Sequence, residues 1–139
     1  MKQIACLAAV YLMIERSVGS ASDKIGLDGW DFGTGAEVPD AYSFRVQEKI
    51  SIAGSPTEAQ TILTKELGAG LPVIVQLSDV NNHFVLVEGL SVDSTGHMIA
   101  KVLDPFEGGT GTLDMATLAY SGPTSEKFVA IGMRTIESK

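Results

Sequence analysis

The residues of this chain that could do chemistry together are Cys6, His83 and Asp104. Cys6 is the only cysteine in the sequence, and His83 is one of two histidines. A thiol becomes a nucleophile when a neighbouring base takes its proton, and a carboxylate can orient the imidazole that acts as that base. These residue types therefore predict nucleophilic catalysis by a cysteine, provided that the fold brings the three positions together.

The positions of His83 and Asp104 predict that they meet. His83 opens one apolar segment and Asp104 closes the next, and we predict that the two segments form a β-hairpin. If Leu90 lies opposite His97, then His83 lies opposite Asp104, with Cβ atoms about 4.5–5.5 Å apart. A slip of two residues would leave the pair as diagonal neighbours, whereas a slip of one would put them on opposite faces.

The local sequence around Cys6 fits the role of a nucleophile. Cys6 lies near the start of an apolar run, Ile4–Arg16, that predicts a helix buried in the core. The backbone N–H groups at the start of a helix lower the pKa of a thiol, which favours the reactive thiolate. The alternative is that Cys6 is a small buried hydrophobic residue, and that Asp104 followed by Pro105 only starts a turn.

The composition limits the class of protein. The chain has 139 residues, 45% of them hydrophobic and 19% charged, which predicts a single folded domain over residues 1–139. The net charge of −7 and the absence of a basic run argue against a nucleic-acid partner. One cysteine allows no intrachain disulfide and no metal cluster, so we expect neither a metal nor a cofactor.

The N-terminal segment imitates a secretory signal peptide. A short apolar run is followed by small residues, but Glu15 and Arg16 interrupt the approach to any cleavage site. We expect the segment to be retained as the first helix. The run is too short for a transmembrane helix, so no membrane insertion is predicted. The sequence leaves the location open between the cytoplasm and a delivered or secreted bacterial protein.

The rest of the chain predicts a helix followed by antiparallel strands, and therefore an α+β fold. Ser55, Pro56 and Glu58 form a helix start with a capping box, and Gly68 and Gly70 end that helix. Residues 20–54 read as a long irregular loop with a short helix near 27–30 and a short strand near 45–52. The predicted strands are Pro72–Leu77, His83–Leu90, Met98–Asp104 and Phe128–Met133, with a strand or helical turn at Thr112–Tyr120 and a turn-rich loop at 105–111. Gly132 inside the last strand suggests a bulge or close packing.

Three segments of the sequence resemble the papain-like cysteine peptidases, in particular the bacteriocin leader-peptidase branch and its bacterial and phage relatives. Residues 6–13 are similar to the nucleophile helix of that branch, with Ala9 and Met13 three and seven places after the cysteine. Residues 66–75 look like the approach to its central strand. The third segment joins His83-Phe84-Val85-Leu86-Val87 to Leu103-Asp104-Pro105 and the glycine-rich tail at 108–113.

The resemblance implies a papain-like fold, in which an N-terminal buried helix packs on a central antiparallel sheet. It also implies Cys6, His83 and Asp104 as catalytic residues, with Gln3 as the candidate oxyanion donor. The family usually places that glutamine about six residues before the nucleophile, whereas Gln3 is three residues before Cys6. The Gly-Pro pair that often follows the nucleophile is replaced by Leu7-Ala8.

The leading hypothesis is a cysteine hydrolase that cleaves peptide or isopeptide bonds through a thioester, with a peptide or protein as its substrate. The same thioester chemistry would serve a deamidase or an acyltransferase acting on protein side chains. A third possibility is a non-catalytic papain-like module that binds a peptide. His97 follows a turn sequence and is expected to be an exposed turn residue.

Overall fold

The computed structural model describes Ile14 and residues 44–78, 83–104, 109–122 and 128–138. Ile14 is helical and fully buried, and the rest of the predicted helix at 4–16 lies outside the described residues. The elements are β1 (Phe44–Val46), β2 (Ile50–Ser51), α1 (Pro56–Gly68), β3 (Val73–Leu77), β4 (Phe84–Val92), β5 (Met98–Asp104), β6 (Gly109–Asp114), β7 (Ala119–Ser121), β8 (Phe128–Arg134) and β9 (Ile136–Ser138).

Strands β3 to β8 form a closed antiparallel barrel. The order around it is β8-β3-β4-β5-β6-β7, and β7 pairs again with β8 to complete the ring. The closing ladder joins Ala119 to Val129 and Tyr120 to Phe128. Strand β2 pairs with β8 at Met133 and Gly132, C-terminal to the residues of β8 that pair with β7, and β1 and β9 form a separate two-stranded ribbon. Closure leaves β7 with neighbours on both sides, although it has only three residues.

The predicted papain-like α+β fold, with a buried helix on a central sheet, is wrong for the part of the chain that the structure describes. The described residues instead form the six-stranded barrel, with helix α1 packed against it. The prediction is wrong at the C-terminal strands, because the glycines near 108–111 are typical of a loop. Residues 109–114 instead form β6, and this strand links β5 to β7 and so allows the ring to close.

The barrel interior is the hydrophobic core. Alternate residues of each strand point inward, as in Val73, Val75 and Leu77 of β3, all of which are fully buried. The outward-facing Ile74 and Leu86 are also buried, at 1% and 2% exposure. Strands β3 and β4 are thus apolar on both faces, which is why their sequences read as continuous apolar runs rather than as alternating ones.

Helix α1 packs one face on this core, as its apolar stripe predicts. Ala59 and Leu63 are fully buried, and Ile62 and Leu67 pack against the same cluster. Pro56 occupies the first turn as predicted, but Ser55 makes no side-chain capping hydrogen bond, so the predicted capping box is wrong.

The C-terminal end of α1 is fixed by backbone hydrogen bonds. Leu71 N–H donates to the Glu66 carbonyl at 2.9 Å, and Gly70 N–H donates to the Leu67 carbonyl at 3.0 Å. Gly70 has a φ of +82°, which suits glycine because it lacks a Cβ. These bonds form a Schellman motif that ends the helix and directs the chain into β3.

The turn between β4 and β5 is held by the Asp93 side chain. Its Oδ1 accepts hydrogen bonds from Thr95 Oγ1 at 2.6 Å, Thr95 N–H at 2.9 Å and His97 N–H at 3.0 Å. These bonds, with that of the Thr95 hydroxyl largest, lower the pKa of Asp93 below its ordinary value. The charged carboxylate therefore stabilises the turn.

We expect the Asp93→Ala substitution to lower the thermal midpoint more at pH 7 than at about pH 2. Because the pKa of Asp93 is depressed in the folded chain, its stabilising effect is present above the unfolded value and disappears as the pH falls through the folded value. Asp93→Asn should fall between wild type and Asp93→Ala at pH 7, since its amide oxygen still accepts hydrogen bonds. Thermal melts at both pH values measure this, and equal losses for Asp93→Ala at both would contradict it.

No helix among the described residues is long and apolar enough to cross a membrane.

Candidate functional site

His83 and Asp104 meet at one end of the barrel, as the hairpin argument predicts. His83 directly precedes β4, and Asp104 is the last residue of β5. His83 Nε2 lies 3.0 Å from Asp104 Oδ1 and 3.1 Å from Oδ2. The two side chains are 15% and 3% exposed respectively, so the pair is largely removed from solvent. Moving two ionisable groups out of water costs desolvation free energy. Their mutual attraction offsets this cost only when further hydrogen bonds satisfy both groups.

The predicted register of the hairpin is wrong, although the contact forms. Leu90 pairs with Ala100 rather than with His97, a slip of three residues at the turn end of the hairpin. At the far end Leu86 pairs with Leu103, and continuing that ladder places Asp104 opposite Val85. His83 is two residues from Val85 on the same face of β4, so it is the diagonal neighbour of Asp104 rather than the facing one.

A β-bulge in β4 is what restores the shared face. Val87 pairs with Val102 and Gly89 with Lys101, so Glu88 is an extra residue in the ladder. An odd slip of three would have put His83 and Asp104 on opposite faces of the sheet, and the bulge converts it to an even slip of two. The sequence sign of this bulge is Gly89, next to the extra residue, and the predicted register did not use it.

The Asp104 carboxylate also accepts a hydrogen bond from a residue that sequence reasoning missed. Tyr120 on β7 donates its hydroxyl to Asp104 Oδ2 at 2.6 Å. Tyr120 is paired with Leu113 of β6, and its side chain reaches over β6 to the end of β5. It is 3% exposed, so this hydrogen bond is buried. Strand β6 lies between β7 and β5 and pairs with both, so the contact depends on the registers of two successive hairpins and no local sequence pattern marks Tyr120.

Two glycines make room for the Tyr120 ring. A Cβ on Gly111 would lie 2.6 Å from the Tyr120 hydroxyl and 2.8 Å from its Cε1. A Cβ on Gly122 would lie 2.5 Å from the hydroxyl and from Cε2. Both contacts are far inside van der Waals separation, so the ring occupies a slot that exists only because these positions lack side chains.

Phe128 also contacts His83. Its ring stacks on the imidazole with centroids 5.8 Å apart and planes 29° apart, and it lies 6.5 Å from the Tyr120 ring. Gln76 pairs with Gly132 and Leu77 with Ala130, so Ile131 is an extra residue in β8. This confirms the bulge suggested by Gly132. Because the bulge changes the alternation along β8, Phe128 rather than Val129 faces the interior.

Cys6 and the candidate oxyanion donor Gln3 both lie outside the described residues. The structure therefore places His83 and Asp104 together, adds Tyr120 and Phe128 to them, and leaves the position of the nucleophile as a prediction.

A second histidine–aspartate pair lies at the opposite end of the barrel and differs from the first in burial. His97 Nε2 is 2.8 Å from Asp114 Oδ1, and each side chain is 37% exposed. Asp114 also accepts hydrogen bonds from Ala116 N–H and Thr117 N–H. The bond from Ala116, followed by that from His97, lowers the pKa of Asp114. The expected turn position of His97 is correct, but its partner was not predicted.

The geometry of the buried pair decides which imidazole nitrogen can act as a base. A carboxylate can only accept hydrogen bonds, so the Nε2 nitrogen beside Asp104 carries the hydrogen. In the neutral ring Nδ1 then carries the lone pair. The arrangement suits an imidazole that takes a proton at Nδ1 while Asp104 stabilises the resulting positive charge.

Among the described residues, no group of three His, Cys, Asp or Glu side chains could hold a metal ion. Comparisons of the chain with protein-family models, with curated proteins and with solved structures find no match.

Proposed function

We propose that this protein is a cysteine hydrolase that cleaves peptide or isopeptide bonds, with Cys6 as nucleophile and His83 as general base. The observation that supports the proposal is the buried His83–Asp104 pair, in which the carboxylate holds Nε2 at 3.0 Å. A hydrophobic core gains little from such a pair, because the desolvation of both groups offsets their attraction. The proposal rests on this pair and on the single thiol, and it needs no papain-like fold.

The proposed reaction runs through a thioester. His83 Nδ1 takes the proton of the Cys6 thiol, and Sγ attacks the carbonyl carbon of the scissile amide. The imidazolium, stabilised by Asp104, then gives its proton to the leaving amine as the C–N bond breaks. Water attacks the thioester with His83 again as base, which releases the acid and restores the thiol. The Cys6 backbone N–H, with Gln3, is the proposed donor set for the oxyanion.

The alkylation rate of Cys6 by iodoacetamide tests the pairing directly. Because the chain has one cysteine, the label reports on a single site. We expect wild type to react well below pH 8, with a profile that depends on His83. In His83→Ala the midpoint should move towards about 8.5, the ordinary pKa of a thiol. His97→Ala is the matched control, since His97 is the other histidine and lies at the opposite end of the barrel.

Identical alkylation profiles for wild type and His83→Ala would refute an activated thiol. Hydrolysis itself is measured by mass spectrometry of a peptide library incubated with the protein. New peptide termini should form with wild type and with His97→Ala, and they should be absent with Cys6→Ala. Termini that persist in Cys6→Ala would overturn the assignment of the nucleophile.

A further inference from the structure

Tyr120 contacts the proposed catalytic pair but has no place in the reaction described above. Its hydroxyl donates to Asp104 Oδ2 at 2.6 Å, while His83 Nε2 lies within 3.1 Å of the same oxygen. The Asp104 carboxylate therefore accepts from an O–H group on one strand and from an imidazole N–H group on another. Both donors meet an acceptor that is 3% exposed in its side chain.

An aspartate side chain needs such an anchor if it is to orient a base. The terminal torsion of aspartate is soft, so a carboxylate turns easily about its Cβ–Cγ bond. In this structure the two oxygens are almost equally distant from Nε2, at 3.0 and 3.1 Å, which requires one particular rotation of the carboxylate. A short bond from Tyr120 to Oδ2 selects that rotation.

The position of Tyr120 is itself fixed by the barrel. The ring fills the slot between Gly111 and Gly122, and its face is tilted against Phe128 at 34°. A rigid, buried ring loses little conformational freedom when its hydroxyl binds, so the anchor is already in place before any substrate arrives.

We infer that Tyr120 is a positioning residue, which fixes the Asp104 carboxylate so that it holds His83 Nε2 and leaves Nδ1 to act on the Cys6 thiol. The inference rests on the proposed role of His83 as the base. It adds a residue of β7 to His83, which precedes β4, and to Asp104 on β5. It also explains the glycine at position 111, because a side chain there would clash with the Tyr120 ring.

The test compares Tyr120→Phe, which removes only the hydroxyl, with Ser121→Ala. Ser121 is the next residue of β7, is exposed and points to the other face of the strand, so this control also removes one hydroxyl. The first readout is the exchange rate of the His83 Nε2–H proton with water, measured by NMR. We expect about a tenfold increase in Tyr120→Phe, from the loss of one charge-assisted hydrogen bond, and no change in Ser121→Ala.

A general loss of stability is separated from positioning by an internal reference. The backbone amide of Val102 in the middle of β5 reports opening of the barrel. If the Val102 amide and the Nε2–H proton accelerate by the same factor in Tyr120→Phe, the inference is overturned. It is also overturned if Tyr120→Phe leaves the Nε2–H exchange rate equal to that of Ser121→Ala.

The second readout links the inference to catalysis. We expect the alkylation rate of Cys6 near pH 6 to fall about threefold to tenfold in Tyr120→Phe, on the scale of a lost hydrogen bond to a charged group, and to stay unchanged in Ser121→Ala. An alkylation profile that does not respond to His83→Ala refutes the proposed function, whereas the Nε2–H exchange still decides whether Tyr120 fixes the pair. The two failures are therefore distinguishable.

Discussion

The His83→Ala substitution is expected to lower the free energy of unfolding by about 3–5 kcal/mol at pH 7. The reason is the carboxylate left behind, because Asp104 is 2% exposed and would lose the imidazole that lies 3.0 Å from Oδ1. Removing one partner of a buried pair leaves a charge with less compensation for its lost hydration. Urea denaturation of both proteins, with the slopes compared, gives this difference.

His97→Ala is the natural comparison for this loss. Its imidazole binds Asp114 at a similar distance, 2.8 Å, but each side chain is 37% exposed and therefore remains hydrated. Exposed pairs contribute about 0.2–1 kcal/mol, and solvent screening places this one in the lower part of that range. If the two histidine variants lost equal stability, burial would not be the factor that distinguishes the pairs.

An apolar replacement of the whole network separates stability from function. The triple variant His83→Leu, Asp104→Leu, Tyr120→Phe removes the imidazole, the carboxylate and the hydroxyl together, so none of these three groups loses its partner within the network. We expect its unfolding free energy to lie within about 1 kcal/mol of wild type, or above it. The alkylation of Cys6 should nevertheless resemble that of an ordinary thiol.

An unfolding free energy near that of wild type, together with an ordinary Cys6 thiol, would mean that the polar network is not retained for stability. A triple variant as unstable as His83→Ala would show the opposite, namely that the polar network holds this end of the barrel together. The functional proposal would then lose its main support.

The local features of the fold were predictable from the sequence, and the long-range ones were not. Helix α1 and the strands around Val75, Val85 and Val102 follow from apolar patterns and turn residues, and the structure confirms them. The contact between His83 and Asp104 was also predicted, because two strand ends joined by a short turn have few ways to pair.

The register, the closure and Tyr120 were missed for a common physical reason. The bulge at Glu88 depends on how two strands twist against each other, and Gly89 beside it is compatible with a bulge but does not fix its place or its effect on the register. Closure depends on β7, which is three residues long and pairs with β8 as well as β6. Tyr120 reaches Asp104 across β6, so its role depends on the registers of two successive hairpins and could not be read from neighbouring residues.

The Gly111→Ala substitution is expected to displace the Tyr120 ring and to destabilise the protein by about 1–3 kcal/mol. The added Cβ would lie 2.6 Å from the Tyr120 hydroxyl and 2.6 Å from the Ser121 carbonyl oxygen. The carbonyl belongs to a paired strand and cannot yield easily, so the ring must move. The hydroxyl would then leave Asp104, and the Nε2–H exchange of His83 should rise as it does in Tyr120→Phe.

Gly89→Ala is the matched control for this change. Gly89 also lies within a strand, but a Cβ there would meet no heavy atom within 4 Å. Its backbone φ is not positive, so alanine fits the backbone conformation. Its effect should stay within about 0.5 kcal/mol. A second comparison isolates the ring, because Gly111→Ala should lose less stability in a Tyr120→Leu background than in wild type, where the full ring occupies the slot. Equal losses in the two backgrounds would show that Gly111 is required by the backbone of β6 rather than by Tyr120.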